Sequence, residues 1–166
     1  MRLVKQEYPT SCGIACVAML AERTLHDVLP NKRHQKVFNK VSEILKGKFS
    51  KTNSYTDRRA IKKLLKEFKV SWQKDFKCID QDFPSQRKFW TSLKGINLVA
   101  VRFRIKDETE YWHWIVTDRT KKCMKIYDPN PKKQISCFDL VKGELPDQKS
   151  YCHAKWYLKI SHNQNR

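Results

Sequence analysis

The stretch Gln6–Leu20 constrains the fold more than any other part of the chain, and it reads QEYPTSCGIACVAML. Pro9 cannot lie inside a helix, whereas Thr10 and Ser11 are residue types that begin one. Almost every residue over Gly13–Leu20 is apolar. This predicts a helix that is buried on all sides, with Cys12 in its first turn.

A cysteine at a helix start has two interpretations. The free N–H groups and the positive end of the helix dipole stabilise a thiolate there. Gln6, six residues earlier, could return its side-chain amide to the sulfur as a donor to an oxyanion. The simpler interpretation is that Cys12 and Cys16 are two small core residues, which is the commonest position of a free cysteine. This stretch alone leaves both interpretations open.

The composition is typical of one globular domain. The chain has 166 residues, of which 40% are hydrophobic. This is enough to bury a core and too much for a disordered chain, so we expect one domain over residues 1–166. The first residues do not resemble an export signal, and no apolar run approaches the length of a membrane span. We therefore expect no transmembrane segment and a cytoplasmic protein as synthesised.

The six cysteines are spaced irregularly and include no CxxC pair. This spacing argues against a structural zinc site, and thiols in a cytosolic protein stay reduced. We expect no metal and no cofactor. Cys16 is interpreted as a core residue. Four more cysteines have no catalytic context, namely Cys78, Cys123, Cys137 and Cys152.

The net charge is +18, from 35 Lys and Arg against 17 Asp and Glu. The simplest explanation is a lysine-rich solvated surface. The functional explanation is an acidic partner, nucleic acid or an anionic membrane surface. Arg58-Arg59, Lys62-Lys63 and Lys132-Lys133 keep a nucleic-acid-binding module open as a non-enzyme alternative. No nucleic-acid fingerprint appears in the sequence, so nucleic acid is not the expected partner.

The remaining pattern predicts helices first and strands second. Three more segments place apolar residues at helical spacing. These residues are Val37, Phe38, Val41, Ile44 and Leu45, then Ile61, Leu64, Leu65 and Phe68, then Phe89, Trp90 and Leu93. Gly47 and Gly95 are the expected ends of the first and third helices, and Thr56 and Asp57 can cap the second. Strands are predicted at 70–76, 98–103, 111–117, 124–127 and 154–160. This order predicts an α+β fold with an antiparallel sheet.

His113 is the candidate partner of Cys12. It lies in the strand predicted at 111–117, and the turn to the next strand centres on Thr120-Lys121. Pairing about that centre sets His113 directly opposite Asp128. Opposed residues have Cβ atoms about 4.5–5.5 Å apart, close enough for a carboxylate to orient an imidazole. Taken singly, His113 could be an ordinary strand histidine, and Asp128 before a proline could simply start a turn.

The other titratable residues are weaker candidates. Asp118 competes with Asp128 but faces the side of the strand opposite His113. Cys152 and His153 are adjacent, yet no second pair sits at metal-ligand spacing. His26, His34 and His162 lie in polar stretches and are expected to be solvated.

Four motifs in chain order carry a family resemblance: Gln6, Cys12-Gly13, His113-Trp114 and Asp128-Pro129. Over Gln6 to Pro131 the chain resembles the bacteriocin-leader-peptidase family of papain-like cysteine peptidases. The chain departs from that family at Ser11, where relatives carry an acidic or amide residue. The usual relatives are parts of peptide exporters, in which membrane spans and a nucleotide-binding domain follow. This sequence contains neither, so we expect a stand-alone protease rather than a leader peptidase.

The resemblance implies a papain-like fold with a site of four residues. Cys12 is the implied thiolate nucleophile, His113 the general base, Asp128 its orienting carboxylate and Gln6 the oxyanion donor. The implied function is a cysteine endopeptidase that cleaves a protein or peptide through an acyl-enzyme.

The same thioester chemistry leaves a deamidase, a transglutaminase or an acyltransferase as alternatives. The resemblance favours a bacterial toxin or effector protease, delivered into a target cell by a dedicated secretion system. Such an enzyme endangers the cell that makes it, so we expect an acidic inhibitor that binds the strongly basic chain.

Overall fold

The computed structural model describes residues 1–22, 24–25, 28–44, 54–80, 82–105, 111–130 and 150–161. The helices in these ranges are α1 (Cys12–Leu20), α2 (Pro30–Ile44), α3 (Arg58–Glu67) and α4 (Phe83–Ser92). The strands are β1 (Trp72–Cys78), β2 (Gly95–Ile105), β3 (Tyr111–Arg119), β4 (Lys125–Tyr127) and β5 (Ser150–Ile160). None of the described helices is long and apolar enough to cross a membrane.

The backbone forms two compact units. The first comprises Met1–Ser71 and Asp128–Lys133, and the second Trp72–Tyr127 and Gln134–Arg166. Helices α1 to α3 therefore belong to the first unit, and α4 belongs to the second with the whole sheet. The expectation of one domain over 1–166 stays a prediction.

Helix α1 is the buried helix that the sequence predicts. Every residue from Cys12 to Met19 is buried, because the segment carries no polar side chain to face water. Helix α2 begins at Pro30, two turns before the apolar residues that predict it. Proline suits the first position of a helix, since its missing N–H would have no partner there. The expected end at Gly47 lies outside the described residues.

Helix α3 confirms the prediction made from its apolar residues. The Asp57 carboxylate accepts the Ala60 N–H at 2.7 Å and caps the helix. The buried residues of the helix lie on one face and are Ala60, Ile61, Leu64 and Leu65. Its lysines lie on the solvated side, as expected, and α3 packs against α1.

The second unit is built on a five-stranded sheet of order β1-β5-β2-β3-β4, in which every neighbouring pair is antiparallel. The five predicted strands are confirmed, with longer bounds for β2, β3 and β5. Its core cluster contains Ile79, Trp90, Leu93, Val99, Val101, Ile115 and Ala154. Gln86 of α4 ties the helix to β5, because its side chain exchanges two 2.8 Å hydrogen bonds with the Ala154 backbone.

Candidate active site

The start of α1 carries the candidate nucleophile. Cys12 is the first residue of the helix and its exposed fraction is 6%. Ser11 occupies the N-cap position, but its side chain makes no capping hydrogen bond. Ser11 Oγ instead accepts the Tyr8 N–H at 3.1 Å and donates to the Tyr8 carbonyl at 2.9 Å. The Ser11 oxygen therefore accepts no hydrogen bond from the first turn of α1. It does not offset the positive end of the helix dipole at Cys12.

Ser11 has a further partner that the sequence did not predict. His34 Nε2 lies 2.8 Å from Ser11 Oγ, and the exposed fraction of His34 is 1%. The expectation that His34 is solvated is wrong, because its ring packs against Tyr8 and Phe38. Burial lowers the pKa of His34 to about 4, although its hydrogen bond to Ser11 acts in the opposite direction. The imidazole is thus neutral at physiological pH. His26 and His162 lie outside the described residues.

Gln6 braces the turn that leads into α1. Its side-chain Nε2 donates to the carbonyls of Tyr8 at 3.2 Å and Pro9 at 3.0 Å. Its backbone N–H donates to the Pro129 carbonyl at 2.9 Å. Two carbonyl acceptors fix the orientation of the amide, since the reverse orientation would set three oxygens against one another. Both amide hydrogens are therefore engaged when no substrate is present, and Gln6 Oε1 is buried without a partner among the described residues.

Cys16 is fully buried one turn after Cys12, and its interpretation as a core residue is confirmed. Burial, then the charges of Cys12 and Asp128, raise the pKa of its thiol well above the usual value. Cys16 therefore stays a neutral thiol.

Asp128 is buried, with an exposed fraction of 2%. Its Oδ1 accepts the Asn130 N–H at 2.8 Å, the hydrogen bond of an Asx-turn. The interpretation that Asp128 starts a turn is thereby confirmed. Asp128 also belongs to the same compact unit as Gln6 and Cys12, although it is far from them in sequence.

His113 lies in the sheet of the second unit. It pairs with Val101 of β2, and its exposed fraction is 9%. Because side chains alternate along a strand, it shares its face with Ile115 and Thr117. Three of the four predicted site residues therefore belong to one unit and His113 to the other.

The predicted register that set His113 opposite Asp128 is wrong. In the sheet Val116 pairs with Tyr127 and Asp118 with Lys125, so the connection centres one residue later than expected. The ladder ends at Tyr127, before it reaches Asp128. The sequence held no tight-turn signal to fix this centre, and moving it by one residue displaces every cross-strand pair by two positions.

Tyr55 adjoins a contact to the start of α1 that sequence reasoning missed. Ser54, the residue before it, is fixed to Thr10 ahead of α1: the Ser54 N–H donates to Thr10 Oγ1 at 2.8 Å, and the two hydroxyls lie 2.9 Å apart. Burial, then the charges of Asp57 and Cys12, raise the pKa of Tyr55. Yet 48% of its surface is exposed. No local signal marks this residue, because its position depends on a contact across 44 residues of sequence.

The remaining predicted candidates have other surroundings. Asp118 Oδ1 accepts the N–H of Thr120 at 2.9 Å and its hydroxyl at 2.7 Å, so this carboxylate shapes the turn after β3. Cys78 and Cys123 are exposed thiols. Within the described residues, no three His, Cys, Asp or Glu side chains are grouped as metal ligands would be. Cys137 lies outside these residues, and the side chain of Cys152 is not described.

The comparison with solved structures identifies the fold. No family model matches the chain, and no curated protein matches it. The chain is similar to the crystal structure of the Pseudomonas avirulence protein AvrPphB, with a TM-score of 0.53 and 12% sequence identity. The likeness covers 96% of this chain and 97% of that one. The predicted α+β, papain-like fold class is confirmed; at this identity the likeness concerns the fold alone.

Proposed function

We propose that this chain is a papain-like cysteine protease that cleaves a protein or peptide substrate. The observation that carries the proposal is the position of Cys12, at the start of a buried helix and in one unit with Gln6 and Asp128. Whole-chain similarity to AvrPphB supports the fold that this chemistry requires. AvrPphB is named as an avirulence protein, which supports extending the proposal to a bacterial effector delivered into another cell.

In the proposed mechanism Cys12 is the nucleophile and His113 the general base. His113 takes the thiol proton, and the sulfur electron pair forms a bond to the carbonyl carbon. The resulting imidazolium then gives that proton to the leaving amine as the carbon–nitrogen bond breaks. Water, deprotonated by His113, hydrolyses the thioester and returns the thiol. We assign Asp128 the role of orienting the imidazole, because a buried carboxylate can hold one tautomer.

We assign the tetrahedral oxyanion to the Cys12 backbone N–H and the Gln6 side chain. Both hydrogens of the Gln6 amide are engaged with carbonyls in the free protein. Donation to an oxyanion would therefore exchange one of these bonds, and the exposed bond to Pro9 is the one substrate can reach. The donor would exchange a neutral carbonyl for a charged oxygen, which forms the stronger hydrogen bond. Loss of one such donor costs about 3–4 kcal/mol in comparable sites.

The experiment that tests the proposal is a search for new protein amino termini in cells that receive the protein. The control is Cys12→Ala, which keeps the fold of α1 because alanine is small and favours helices. New amino termini that require Cys12 support the protease. Cys12-dependent release of ammonia, or cross-linked or acylated products without new amino termini, would assign the site to a deamidase, transglutaminase or acyltransferase instead.

A further inference from the structure

The solvent-facing side of α3 is continuously basic. Five residues form it, and we call them the α3 basic face: Arg58, Arg59, Lys62, Lys63 and Lys66. At 100° per residue they cover one arc of the helix, opposite the buried apolar residues. Four of the five side chains are exposed and Lys62 is half-buried.

The charges at the start of this face do not favour the helix. The first turn holds two arginines and no acidic residue, although the positive end of a helix favours anions. Of the nearby carboxylates, Glu67 pairs with Lys40 at 3.3 Å, and Asp57 is occupied as the cap of α3. Helix α3 itself holds five basic residues and one acidic residue, Glu67, so this face is positive. A basic surface exposed to solvent is suited to an external anion.

The α3 basic face begins next to the candidate nucleophile. The two hydrogen bonds between Thr10 and Ser54 join the residues just ahead of α1 to those just ahead of α3. Tyr55 then lies between this junction and Arg58, half-exposed and within electrostatic reach of Cys12. Helix α1 also packs on α3. A polypeptide bound at Cys12 would therefore have the basic face beside it, within the same compact unit.

We propose that the α3 basic face binds acidic residues of the polypeptide on which Cys12 acts, so that the substrate is acidic next to its reaction site. This inference rests on the proposed function, because it takes the polypeptide from the chemistry of Cys12. The choice of an acidic polypeptide over nucleic acid follows from that adjacency, since a thiol nucleophile has no reaction to perform on a phosphodiester backbone.

The first experiment measures the electrostatic potential at Cys12 with two alkylating reagents. Iodoacetate is an anion and iodoacetamide is neutral, so the ratio of their rates at Cys12 reports the local charge. The variant Arg59→Gln/Lys63→Gln/Lys66→Gln should lower this ratio about threefold at ~10 mM ionic strength. Near-molar salt should remove the difference between variant and parent. A ratio that the variant leaves unchanged overturns the proposal.

The matched control removes three lysines elsewhere. Lys74, Lys77 and Lys159 line an open pocket of about 220 Å³ between β1 and β5 in the second unit. Their triple substitution by glutamine changes net charge equally, so it separates the effect of total charge from that of the α3 basic face. An equal fall in both triple variants would mean that total charge, and not the α3 basic face, sets the potential, and would overturn the proposal.

The second experiment identifies the anion. A glutamate-rich peptide should slow alkylation of Cys12 by iodoacetamide in the parent and in the control with Lys74, Lys77 and Lys159 replaced. It should not do so in the α3 variant, in which Arg59, Lys63 and Lys66 are replaced. Protection by an oligothymidylate of equal charge, without protection by the peptide, would make the face a nucleic-acid surface and overturn the proposal.

The search for new amino termini distinguishes a failure of this inference from a failure of the proposed protease function. Peptide protection without new amino termini would keep the acidic-polypeptide surface and remove the protease. New amino termini that appear equally with the parent and with the α3 variant would keep the protease and remove the acidic-polypeptide surface.

Discussion

His34 Nε2 lies 2.8 Å from Ser11 Oγ, and both side chains are buried. The Glu7 carboxylate lies 3.5 Å from the other ring nitrogen of His34. Serine, histidine and glutamate in this order resemble a hydrolase triad, but the Ser11 hydroxyl already donates its proton to the Tyr8 carbonyl. The arrangement instead holds the turn 8–11, and it does so at the residue that directly precedes Cys12. The serine that departs from the family pattern is thus part of the support for the candidate nucleophile.

Replacing His34 should loosen this support. His34→Phe keeps the ring contacts with Tyr8 and Phe38 but removes the bond to Ser11, so the free energy of unfolding should fall by about 1 kcal/mol. His34→Gln can place an N–H near the same point and should retain more of that stability. Urea unfolding of both variants measures the difference. Equal loss in both variants would show that shape, and not the hydrogen bond, stabilises the turn.

Stability should also depend on pH through His34. Its pKa is about 4 when folded and 6.5 as a free side chain, so the unfolded chain binds the extra proton between these values. The folded state therefore loses stability as the pH falls from about 6.5 to about 4. His34 alone contributes at most about 3 kcal/mol across this window. The nearby Glu7 carboxylate favours the protonated ring and acts to reduce this loss.

The measurement is urea unfolding of the parent and of His34→Gln from pH 7 to pH 4. Subtracting the two curves removes the carboxylates that titrate in both proteins. The difference should change in favour of the variant as the pH falls. A constant difference would mean that His34 is not buried in its neutral form.

The sequence predicted the elements well because each depends on local chemistry. The apolar run of α1, the Asp57 cap of α3 and the alternation in β3 are all readable within a few residues. The start of α2 was missed because its first turns are polar, and a helix of that kind forms only where tertiary contacts stabilise it. Arg33 supplies such contacts, since it is buried and bonds to Glu22 at 3.1 Å and to the Val28 carbonyl at 2.9 Å.

The sequence predicts candidate residues for the site but not their surroundings. The Cys12 helix start and the Asp128-Pro129 turn have local signals, whereas the neighbours of Cys12 are set over long separations. Ser11 and His34 are 23 residues apart, and Thr10 and Ser54 are 44 apart. A single sequence carries no signal for such pairs. The predicted register of β3 against β4 was wrong for a related reason. The residues that connect these strands carry no tight-turn signal, so they do not fix the centre about which the strands pair.

Cys12 should be the most reactive of the six thiols. Cys16 is buried and its raised pKa keeps it protonated, so it should alkylate slowest among the described cysteines. Cys78 and Cys123 are exposed and serve as internal references for an ordinary surface thiol. Iodoacetamide labelling at pH 7, read by peptide mass spectrometry, gives each rate. If Cys12 reacts no faster than Cys78 and Cys123, it is a core residue and not a nucleophile.

The carboxylate that orients His113 should be Asp128. Asp128→Asn should keep the fold, since the amide oxygen can still accept the Asn130 N–H, but should lower the cleavage rate by favouring the wrong imidazole tautomer. His113→Ala should abolish cleavage and slow alkylation of Cys12 at pH 6. Asp118→Asn is the matched control, because its bonds to Thr120 concern only a turn. If Asp118→Asn lost cleavage activity and Asp128→Asn kept it, Asp118 and not Asp128 would be the carboxylate that orients His113.

Gln6 should have two separable roles, as brace of the turn and as oxyanion donor. Gln6→Ala removes the bonds to the Tyr8 and Pro9 carbonyls, so the free energy of unfolding should fall by about 1–2 kcal/mol. The roles separate because alkylation by iodoacetamide builds no tetrahedral oxyanion, whereas peptide cleavage does. If Gln6 donates to the oxyanion, Gln6→Ala lowers cleavage about 10²–10³-fold and changes alkylation of Cys12 far less. If Gln6 only braces the turn, both rates fall together, and the second oxyanion donor must be sought in another residue.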